Sequence, residues 1–363
     1  MKILYIEPLG VRGGMGRYNE ALIAGYDEAG ADVDLVTSSH DPTCEFRAKV
    51  HVSRFLCLAM DRSKPRILRA AGYVGSYFGC LMLARRADVV VMHFLHRPAV
   101  DRWALRAFRR LGPTLVLVAH EPKPILDSQR GGAYQKSLRA FDLVVVHGPR
   151  ARDDVVAQGV PEERVLVAPF GEYRATPPLD PAAASQALGL ADLPRPVSAI
   201  IGNLRPGKGI RRAREALEVP DSPVRTLLAA GARHDIWDLE AALQTSEGSP
   251  LTIARVDRRM SDLEERAAYS LADVVLTLYD SGYSSAVIAR AHSIGKAVVL
   301  TDIGDMAKQA GLSDTVLPSD YTAGQLRSAV DRCLRAVTEA PTEWDRGAWL
   351  FHAESVLARL HRT

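Results

Sequence analysis

The sequence predicts an α/β protein with two doubly wound, Rossmann-like domains, and three observations support this prediction. The chain has 363 residues, enough for about two domains that each bury a core. Short apolar runs recur along it, each followed by a helix-like segment. Their hydrophobicity is continuous rather than alternating, which indicates strands covered on both faces, as in parallel sheets flanked by helices.

The first half of the chain holds one set of these runs, and we assign it to an N-terminal domain over residues 1–172. The expected strands are residues 3–7, 33–37, 89–94, 115–119, 143–146 and 165–168. The most membrane-like stretch, residues 70–84, contains three glycines and is shorter than the about 20 residues that a spanning helix needs. We therefore expect a packed helix there.

The second half holds the other set, assigned to a C-terminal domain over residues 197–343. The expected strands are residues 197–201, 226–230, 251–254, 274–278, 297–301 and 315–317. Residues 173–196 contain five prolines, which are excluded from central strands and helix interiors, so we expect a linker with a short helix over 182–188. Apolar residues of the segment 344–361 recur at helical spacing. We therefore expect a helix there, which packs either against the C-terminal domain or against the N-terminal domain.

Composition excludes several classes of function. The 46 basic and 43 acidic residues leave a net charge of +3, too balanced for a general nucleic-acid binder. The four cysteines lie far apart without a CxxC motif, so neither a metal site nor a disulfide framework is expected. The N-terminus enters a strand without the basic and long apolar regions of a signal peptide. We therefore expect a cytoplasmic protein without metal chemistry by cysteine.

Two glycine-rich loops follow expected strands. The first reads PLGVRGGMGRY, in which Gly13 and Gly14 precede a helix expected to begin near Arg17. The second reads IGNLRPGKG, with Arg205 and Lys208 in a loop expected to be exposed. Glycines let backbone N–H groups approach a phosphate, and two cations suit a diphosphate. A tight turn in the first loop and solvated surface charge in the second remain the alternatives.

A third loop, LYDSGYSSAV, precedes a helix that begins near Ser285. We expect Ser284 or Ser285 to cap this helix, which would leave the N–H groups of Ser285, Ala286 and Val287 for an anion. A plain helix cap is the alternative.

Five segments together resemble the family 4 glycosyltransferases of the GT-B fold. They are GGMGRY, VAHEP, FDLVVVHGPRARDDVVAQGVPEERVLVAPFG, IGNLRPGKG and SLADVVLTLYDSGYSSAVIARAHSIGKAVV, in the family's order and spacing over roughly residues 1–305. The resemblance implies two domains that face a central cleft. It also implies transfer of a sugar from a nucleotide-diphosphate donor, without a metal.

The resemblance also implies roles for individual residues. Lys208 and a nearby arginine would neutralise the donor diphosphate, and His120 would face the transferred sugar. The loop at Gly13 and Gly14 would close on the phosphates. The base would be contacted through the backbone around Arg255, in residues 255–258.

Two departures from the family pattern bear on the donor site. Asn203 stands where the family has an arginine, so Arg205 is expected to replace it. The family's two glutamates, eight positions apart, correspond here to Gly282 and Arg290. The carboxylate that normally grips the ribose is therefore absent, so the ribose must be recognised in another way. The resemblance favours retaining stereochemistry, but this departure weakens that expectation, and inversion stays open.

Glu121, beside His120, is the acid nearest the expected reaction site. It would be the base of an inverting reaction, since a carboxylate or histidine must then take the acceptor proton. Otherwise it is a solvent-facing carboxylate. His93 and His96 end another expected strand and would line the acceptor side or be structural.

Charge is distributed unevenly. Residues 62–110 contain eleven basic and two acidic residues, a net charge of +9. The basic residues include Arg102, Arg106, Arg109 and Arg110. Basic side chains among apolar ones on helices suit an anionic membrane surface, although solvated helix faces are equally compatible.

The sequence thus predicts a glycosyltransferase with a UDP- or GDP-sugar donor. The expected acceptor is a glycan or a lipid-linked sugar of bacterial envelope or exopolysaccharide synthesis, at the inner face of the cell membrane if the protein is peripheral. A sugar-nucleotide epimerase of the same fold and a non-catalytic nucleotide- or glycan-binding homologue are the alternatives.

Overall fold

The computed structural model describes residues 1–10, 14–39, 47–61, 63–93, 95, 97–122, 131–233, 238–336 and 346–361. The chain forms two compact units. The first comprises Met1–Gly171 and Arg346–Thr363, and the second comprises Glu172–Asp345. Each unit is a parallel sheet with helices on both faces.

The sheet of the first unit has seven parallel strands in the order β3-β2-β1-β4-β5-β6-β7. The strands are β1 (Lys2–Glu7), β2 (Asp32–Thr37), β3 (Lys49–Val52), β4 (Val89–Met92), β5 (Thr114–Val118), β6 (Leu143–Val146) and β7 (Val165–Val167). The helices are α1 (Gly14–Glu28), α2 (Arg54–Met60), α3 (Arg66–Ala84), α4 (Pro98–Leu111), α5 (Gly131–Leu138) and α6 (Pro149–Ala157).

Strands β4 and β6 are buried along their whole length, as the continuous apolar runs predict for strands covered on both faces. Strand β3 is missing from the prediction. It reads KVHV and is mostly exposed at the sheet edge, so it lacks the apolar run by which the central strands were recognised. Helix α1 begins at Gly14, earlier than the predicted start near Arg17.

The sheet of the second unit has six parallel strands in the order β10-β9-β8-β11-β12-β13. The strands are β8 (Val197–Ile201), β9 (Thr226–Ala230), β10 (Thr252–Val256), β11 (Val274–Thr277), β12 (Val298–Thr301) and β13 (Thr315–Leu317). The helices are α7 (Pro181–Leu188), α8 (Ile210–Leu217), α9 (Leu239–Leu243), α10 (Asp262–Leu271), α11 (Ala286–Ser293) and α12 (Ala323–Arg335). Successive apolar side chains along a strand belong to two different hydrophobic cores. In β8, for example, Ile200 lies in one core and Ile201 in the other.

The proline-rich segment 173–196 is part of the second unit rather than a separate linker. Asp180 caps α7, because its carboxylate accepts a 3.0 Å hydrogen bond from the Ala183 N–H, and Pro181 occupies the first turn. The Leu179 N–H donates to the Ser270 Oγ at 2.9 Å, next to α10. The prolines thus begin a packed helix and do not separate two domains.

The last helix, α13 (Arg346–Leu360), belongs to the first unit, which is the second of the two predicted alternatives. Its Trp349 is buried, and the indole ring lies 5.0 Å from the Tyr18 ring of α1. The Trp349 ring leaves no room for a Cβ atom at Gly171, and the Trp349 backbone leaves none at Gly25. The chain therefore returns to its first unit after completing the second.

Candidate functional site

Strand order locates the candidate site in each unit. In a doubly wound sheet, ligands bind beyond the carboxyl ends of the strands where the strand order reverses. That point lies between β1 and β4 in the first unit and between β8 and β11 in the second. The loops after these strands are the ones in which the sequence predicts chemistry.

In the second unit the loops after β8 and β11 contact each other closely. The Asp280 N–H donates to the Gly207 carbonyl at 2.9 Å. Gly209 has a φ of +70°, and its Cα faces the Leu278 backbone so closely that a Cβ atom would clash with it. Only glycine fits both the left-handed backbone and this approach. The contact fixes Lys208 between the two loops.

Lys208 is buried, with 8% of its surface exposed, although the prediction placed it in an exposed loop. Its Nζ atom lies 3.7 Å from the centroid of the Tyr279 ring. In the described part of the chain no carboxylate forms an ion pair with it. A buried ammonium held by a ring face, without a counter-charge, is a favourable position for an anion.

Arg205 lies in the same loop and is partly exposed; its guanidinium donates to the Pro206 carbonyl at 3.1 Å. Asn203 is exposed. Lys208 and Arg205 together provide two positive charges at the switch point of this sheet, which suits a diphosphate.

The N-terminus of α11 differs from the prediction. Ser285 occupies the cap position, but its side chain makes no cap hydrogen bond. The Ser285 N–H donates to Gln309 Oε1 at 2.7 Å, and the Ser285 hydroxyl donates to the Tyr279 hydroxyl at 3.3 Å. A protein side chain thus uses one of the three predicted N–H groups, which leaves Ala286 and Val287 as candidates for an anion.

Two arginines of the second unit make contacts within the protein. Arg255 is exposed and pairs with Glu240, which raises the pKa of the guanidinium. Arg290 is buried and donates to the Thr176 hydroxyl at 3.0 Å and the Ser293 hydroxyl at 3.1 Å. Arg290 therefore holds the proline-rich segment to α11 at the position of the family's second glutamate.

In the first unit three neighbouring strands each lead into a histidine. His93 follows β4, His120 lies two residues after β5, and His147 follows β6. The ring centroids of His93 and His120 are 5.1 Å apart, as are those of His120 and His147. Tyr18 of α1 packs edge-on against His120 at 4.3 Å. We call these three histidines, with His352 of α13 beside His147, the histidine cluster.

Hydrogen bonds determine which nitrogen of each ring carries the proton. The Tyr5 hydroxyl donates to Asn19 Oδ1 at 2.8 Å, so its oxygen accepts the bond that joins it to His93 Nε2. In a neutral His93 the Nδ1 atom is then an acceptor, and it receives the His120 Nε2–H at 3.1 Å. The Nδ1 atom of His120 is therefore an acceptor.

Burial keeps His93, His120 and His352 uncharged. It lowers the pKa of His120 and His93 well below the usual value, and the other histidines of the cluster lower it further. Burial also lowers the pKa of His352 to about 3. At neutral pH His120 is thus a neutral hydrogen-bonding group and a weak base.

Several other predicted residues lie elsewhere. Glu121 has an exposed side chain, and its backbone carbonyl accepts a 2.8 Å hydrogen bond from the Tyr134 hydroxyl. Gly14 begins α1, whereas Gly13 and His96 are outside the described residues. Arg106, Arg109 and Arg110 are exposed on α4, and Arg102 is partly exposed.

The prediction omitted His147, His352 and Tyr18 from the site. The sequence contains a signal for His147. It follows an apolar run and begins the tripeptide HGP, just as His120 follows the preceding apolar run and begins the tripeptide HEP. His352 has no such signal, since its place in the cluster depends on the docking of α13.

The comparisons agree with this architecture. Residues 13–171 match a family model described as a glycosyl transferase 4-like domain. The sequence has no significant match among curated proteins. Among solved structures, HepE of Anabaena in complex with UDP-glucose is similar with a TM-score of 0.69, at 17% identity over 99% of each chain.

Two further solved structures show the range of activities on this fold. WaaG, a glycosyltransferase involved in lipopolysaccharide biosynthesis, has a TM-score of 0.62 at 17% identity over 99% of this chain and 95% of its own. The UDP-GlcNAc 2-epimerase of Neisseria meningitidis has a TM-score of 0.60 at 13% identity over 100% of both chains. The protein therefore has the GT-B fold, and its residues 13–171 are similar to the glycosyl transferase 4-like domain.

Proposed function

We propose that the protein transfers a sugar from a UDP- or GDP-sugar to a glycan or lipid-linked acceptor in bacterial envelope or exopolysaccharide synthesis. The observation that carries this proposal is Lys208, buried against Tyr279 at the switch point of the second sheet with Arg205 in the same loop. The pair suits the diphosphate of a sugar nucleotide, and HepE was crystallised with such a ligand.

The transfer breaks the bond between the sugar C1 atom and the diphosphate oxygen and forms a bond from C1 to an acceptor oxygen. Negative charge grows on the diphosphate as it leaves, so Lys208 and Arg205 would stabilise the transition state more than the ground state. The acceptor hydroxyl loses its proton in the same process. In a retaining reaction a leaving phosphate oxygen can accept that proton.

His120 would position the transferred sugar. Its neutral ring is oriented by the 3.1 Å hydrogen bond to His93 and would contact the sugar as a polar, uncharged group. The lowered pKa makes His120 a poor general base. Glu121 is exposed, so its carboxylate faces solvent. Both observations favour the retaining course.

The proposed acceptor rests on the similarity to WaaG and on the basic segment of the first unit. WaaG acts in lipopolysaccharide biosynthesis, and the basic segment of the first unit suits an anionic, lipid-linked acceptor. The similarity to a UDP-GlcNAc 2-epimerase keeps epimerisation as the second candidate.

The test begins with the full-length protein in a thermal-shift panel of UDP, GDP, ADP and TDP. A ligand at about 100 times its Kd stabilises the folded state by about 2.7 kcal/mol, so the preferred base gives a clear shift. UDP- and GDP-sugars are then incubated with and without acceptor, and products are identified by mass spectrometry and NMR. Nucleotide release with sugar transfer supports the proposal. Binding without turnover, or a sugar nucleotide changed only in configuration, contradicts it.

A further inference from the structure

Helix α3 presents an apolar face to solvent. The exposed residues between its two ends are all apolar or glycine: Ile67, Leu68, Ala71, Val74, Phe78, Gly79 and Met82. Ile67 is 82% exposed, Phe78 is 59% exposed and Met82 is 64% exposed. A soluble surface rarely leaves so continuous an apolar stripe uncovered.

Neighbouring helices extend this stripe. Trp103 of α4 is 43% exposed, and its ring lies 5.8 Å from the Phe78 ring. Phe55 of α2 is 57% exposed and packs against Gly75, where a Cβ atom would lie 3.2 Å from the Phe55 ring. We call the exposed stripe of α3 together with Phe55 and Trp103 the α3 face.

Basic residues surround the α3 face. Lys64 and Arg66 are exposed at the beginning of α3, and Arg85 and Arg86 are exposed at its end. Arg106 and Arg110 of α4 are exposed on the Trp103 side, whereas Arg109 forms a 2.9 Å salt bridge with Asp142. The acid closest in sequence to Trp103, Asp101, is buried.

The opposite face of α3 is built into the first unit. Among the described helices, α3 alone has the length and apolar composition of a candidate membrane span. However, its Tyr73 and Tyr77 are buried and both donate 2.8 Å hydrogen bonds to Asp101 of α4. A helix fixed by such contacts can lie in a membrane interface but cannot leave its unit to cross the bilayer.

We propose that the α3 face inserts into the surface of an anionic lipid bilayer, with the apolar side chains among the acyl chains and the arginines at the phosphates. A second copy of this chain is the other candidate occupant. A two-fold contact through α3 would place positively charged ends against each other, because both ends of the helix are basic. An anionic bilayer complements both features of the α3 face, because its acyl chains accept the apolar stripe and its phosphates attract the basic residues around the stripe.

The test is co-sedimentation of the full chain with phosphatidylcholine vesicles, with and without about 30% phosphatidylglycerol. We expect binding to the anionic vesicles at about 0.1 M salt, little to the neutral ones, and weakening near 0.5 M salt. Vesicles with brominated acyl chains should quench the Trp103 fluorescence, and Trp103→Phe should remove that quenching.

Two double variants separate the apolar from the charged contribution. Ile67→Ser with Phe78→Ser should lower the partition coefficient about 10-fold or more. Arg106→Ser with Arg110→Ser should lower it about 30-fold, the effect of two charges near an anionic surface. Matched controls in the second unit are Leu312→Ser, at a 92% exposed residue, and Arg332→Ser, at an exposed arginine of α12; neither should change binding.

Several outcomes overturn the proposal. These are absence of vesicle binding, equal binding to both lipid compositions, or bound protein with unquenched Trp103. A dimer seen by light scattering that Phe78→Ser dissociates, without lipid binding, would assign the face to a second copy. Nucleotide affinity of each variant is measured in parallel. Membrane docking and the proposed sugar transfer can therefore fail independently of each other.

Discussion

Lys208 shows how a charged residue can be both buried and available. Its side chain lies on the Tyr279 ring, and two loops that approach through glycines hold it there. The electron-rich ring face compensates part of the lost hydration without neutralising the charge. A diphosphate would supply the missing counter-charge.

Lys208→Met keeps most of the side-chain volume and removes the charge. We expect nucleotide diphosphate binding to weaken by about 1.5–3 kcal/mol, the scale of a charge-assisted hydrogen bond. The free energy of unfolding without ligand should stay equal or rise, because the variant no longer buries an unpaired charge. Isothermal titration with UDP or GDP, together with urea unfolding, measures both quantities. Lys308→Met, at an exposed lysine of the same unit, is the control, and equal affinity in all three proteins would exclude Lys208 from the site.

His120→Ala tests the histidine cluster. Loss of a positioned hydrogen bond to the sugar should lower the turnover rate about 100-fold while nucleotide affinity stays nearly constant. Rates are measured as nucleotide release, and His361→Ala, at an exposed histidine of the same unit, serves as the control. A parallel fall in nucleotide affinity would refute the assignment of His120 to the sugar.

Glu121→Gln, in the same assay, tests the stereochemical course. We expect a small effect, because the side chain is exposed and the retaining course needs no protein base. A loss as large as that of His120→Ala would instead favour an inverting enzyme with Glu121 as the base.

At the scale of the helix, Asp101 joins α3 to α4. Its Oδ1 atom accepts both tyrosine hydroxyls, and its Oδ2 atom accepts the Arg97 N–H at 2.9 Å. Burial raises the pKa of this carboxyl to about 6, although the hydrogen bonds lower it. The geometry of the α3 face therefore depends on a carboxyl that titrates in a mildly acidic range.

The raised pKa gives a defined pH dependence. The folded protein binds the Asp101 proton more tightly than the unfolded chain, so this contribution to stability is fully present below about pH 4 and is lost as the pH rises through 6. The loss amounts to about 3 kcal/mol for a shift of about two units. Asp101→Asn should remove this slope in urea unfolding between pH 4 and 7, whereas Asp32→Asn, at an exposed carboxyl of the same unit, should retain it. Identical slopes in all three proteins would contradict the raised pKa.

At the scale of the whole molecule, the chain crosses twice between its units. The second crossing brings α13 to α1, where Trp349 contacts Tyr18 and Phe170. The same helix carries His352 into the histidine cluster. Residues near the C-terminus therefore complete the core and the candidate site of the first unit.

Trp349→Ala should destabilise the first unit by about 3–5 kcal/mol, since it removes a large buried ring and leaves a cavity. Phe351→Ala on the same helix is the matched control, because Phe351 is 56% exposed and its change should stay within about 0.5 kcal/mol. Urea unfolding followed by circular dichroism and limited proteolysis would show the first unit unfolding earlier and the second unchanged. An unshifted first transition would show that α13 contributes little to that unit.

The fold class and most of the strands of both sheets follow from the sequence alone. Strands buried on both faces must be continuously apolar, so β4, β6, β8 and β11 are visible without a structure. Strand β3 was not visible, because an exposed edge strand has no such requirement. The glycine-rich loop around Lys208 is also visible in the sequence, since glycines and two cations follow an expected strand there.

The environment of each site residue depends on contacts between segments that are distant in the sequence. Lys208 is buried because a loop from β11, distant in sequence, covers it. Ser285 gives its N–H to Gln309, 24 residues away, so local cap rules could not predict its partner. The histidine cluster forms because three parallel strands end side by side and α13 returns to them. The apolar stripe of α3 looked like packing surface in the sequence, and only the fold shows which half of that helix remains uncovered.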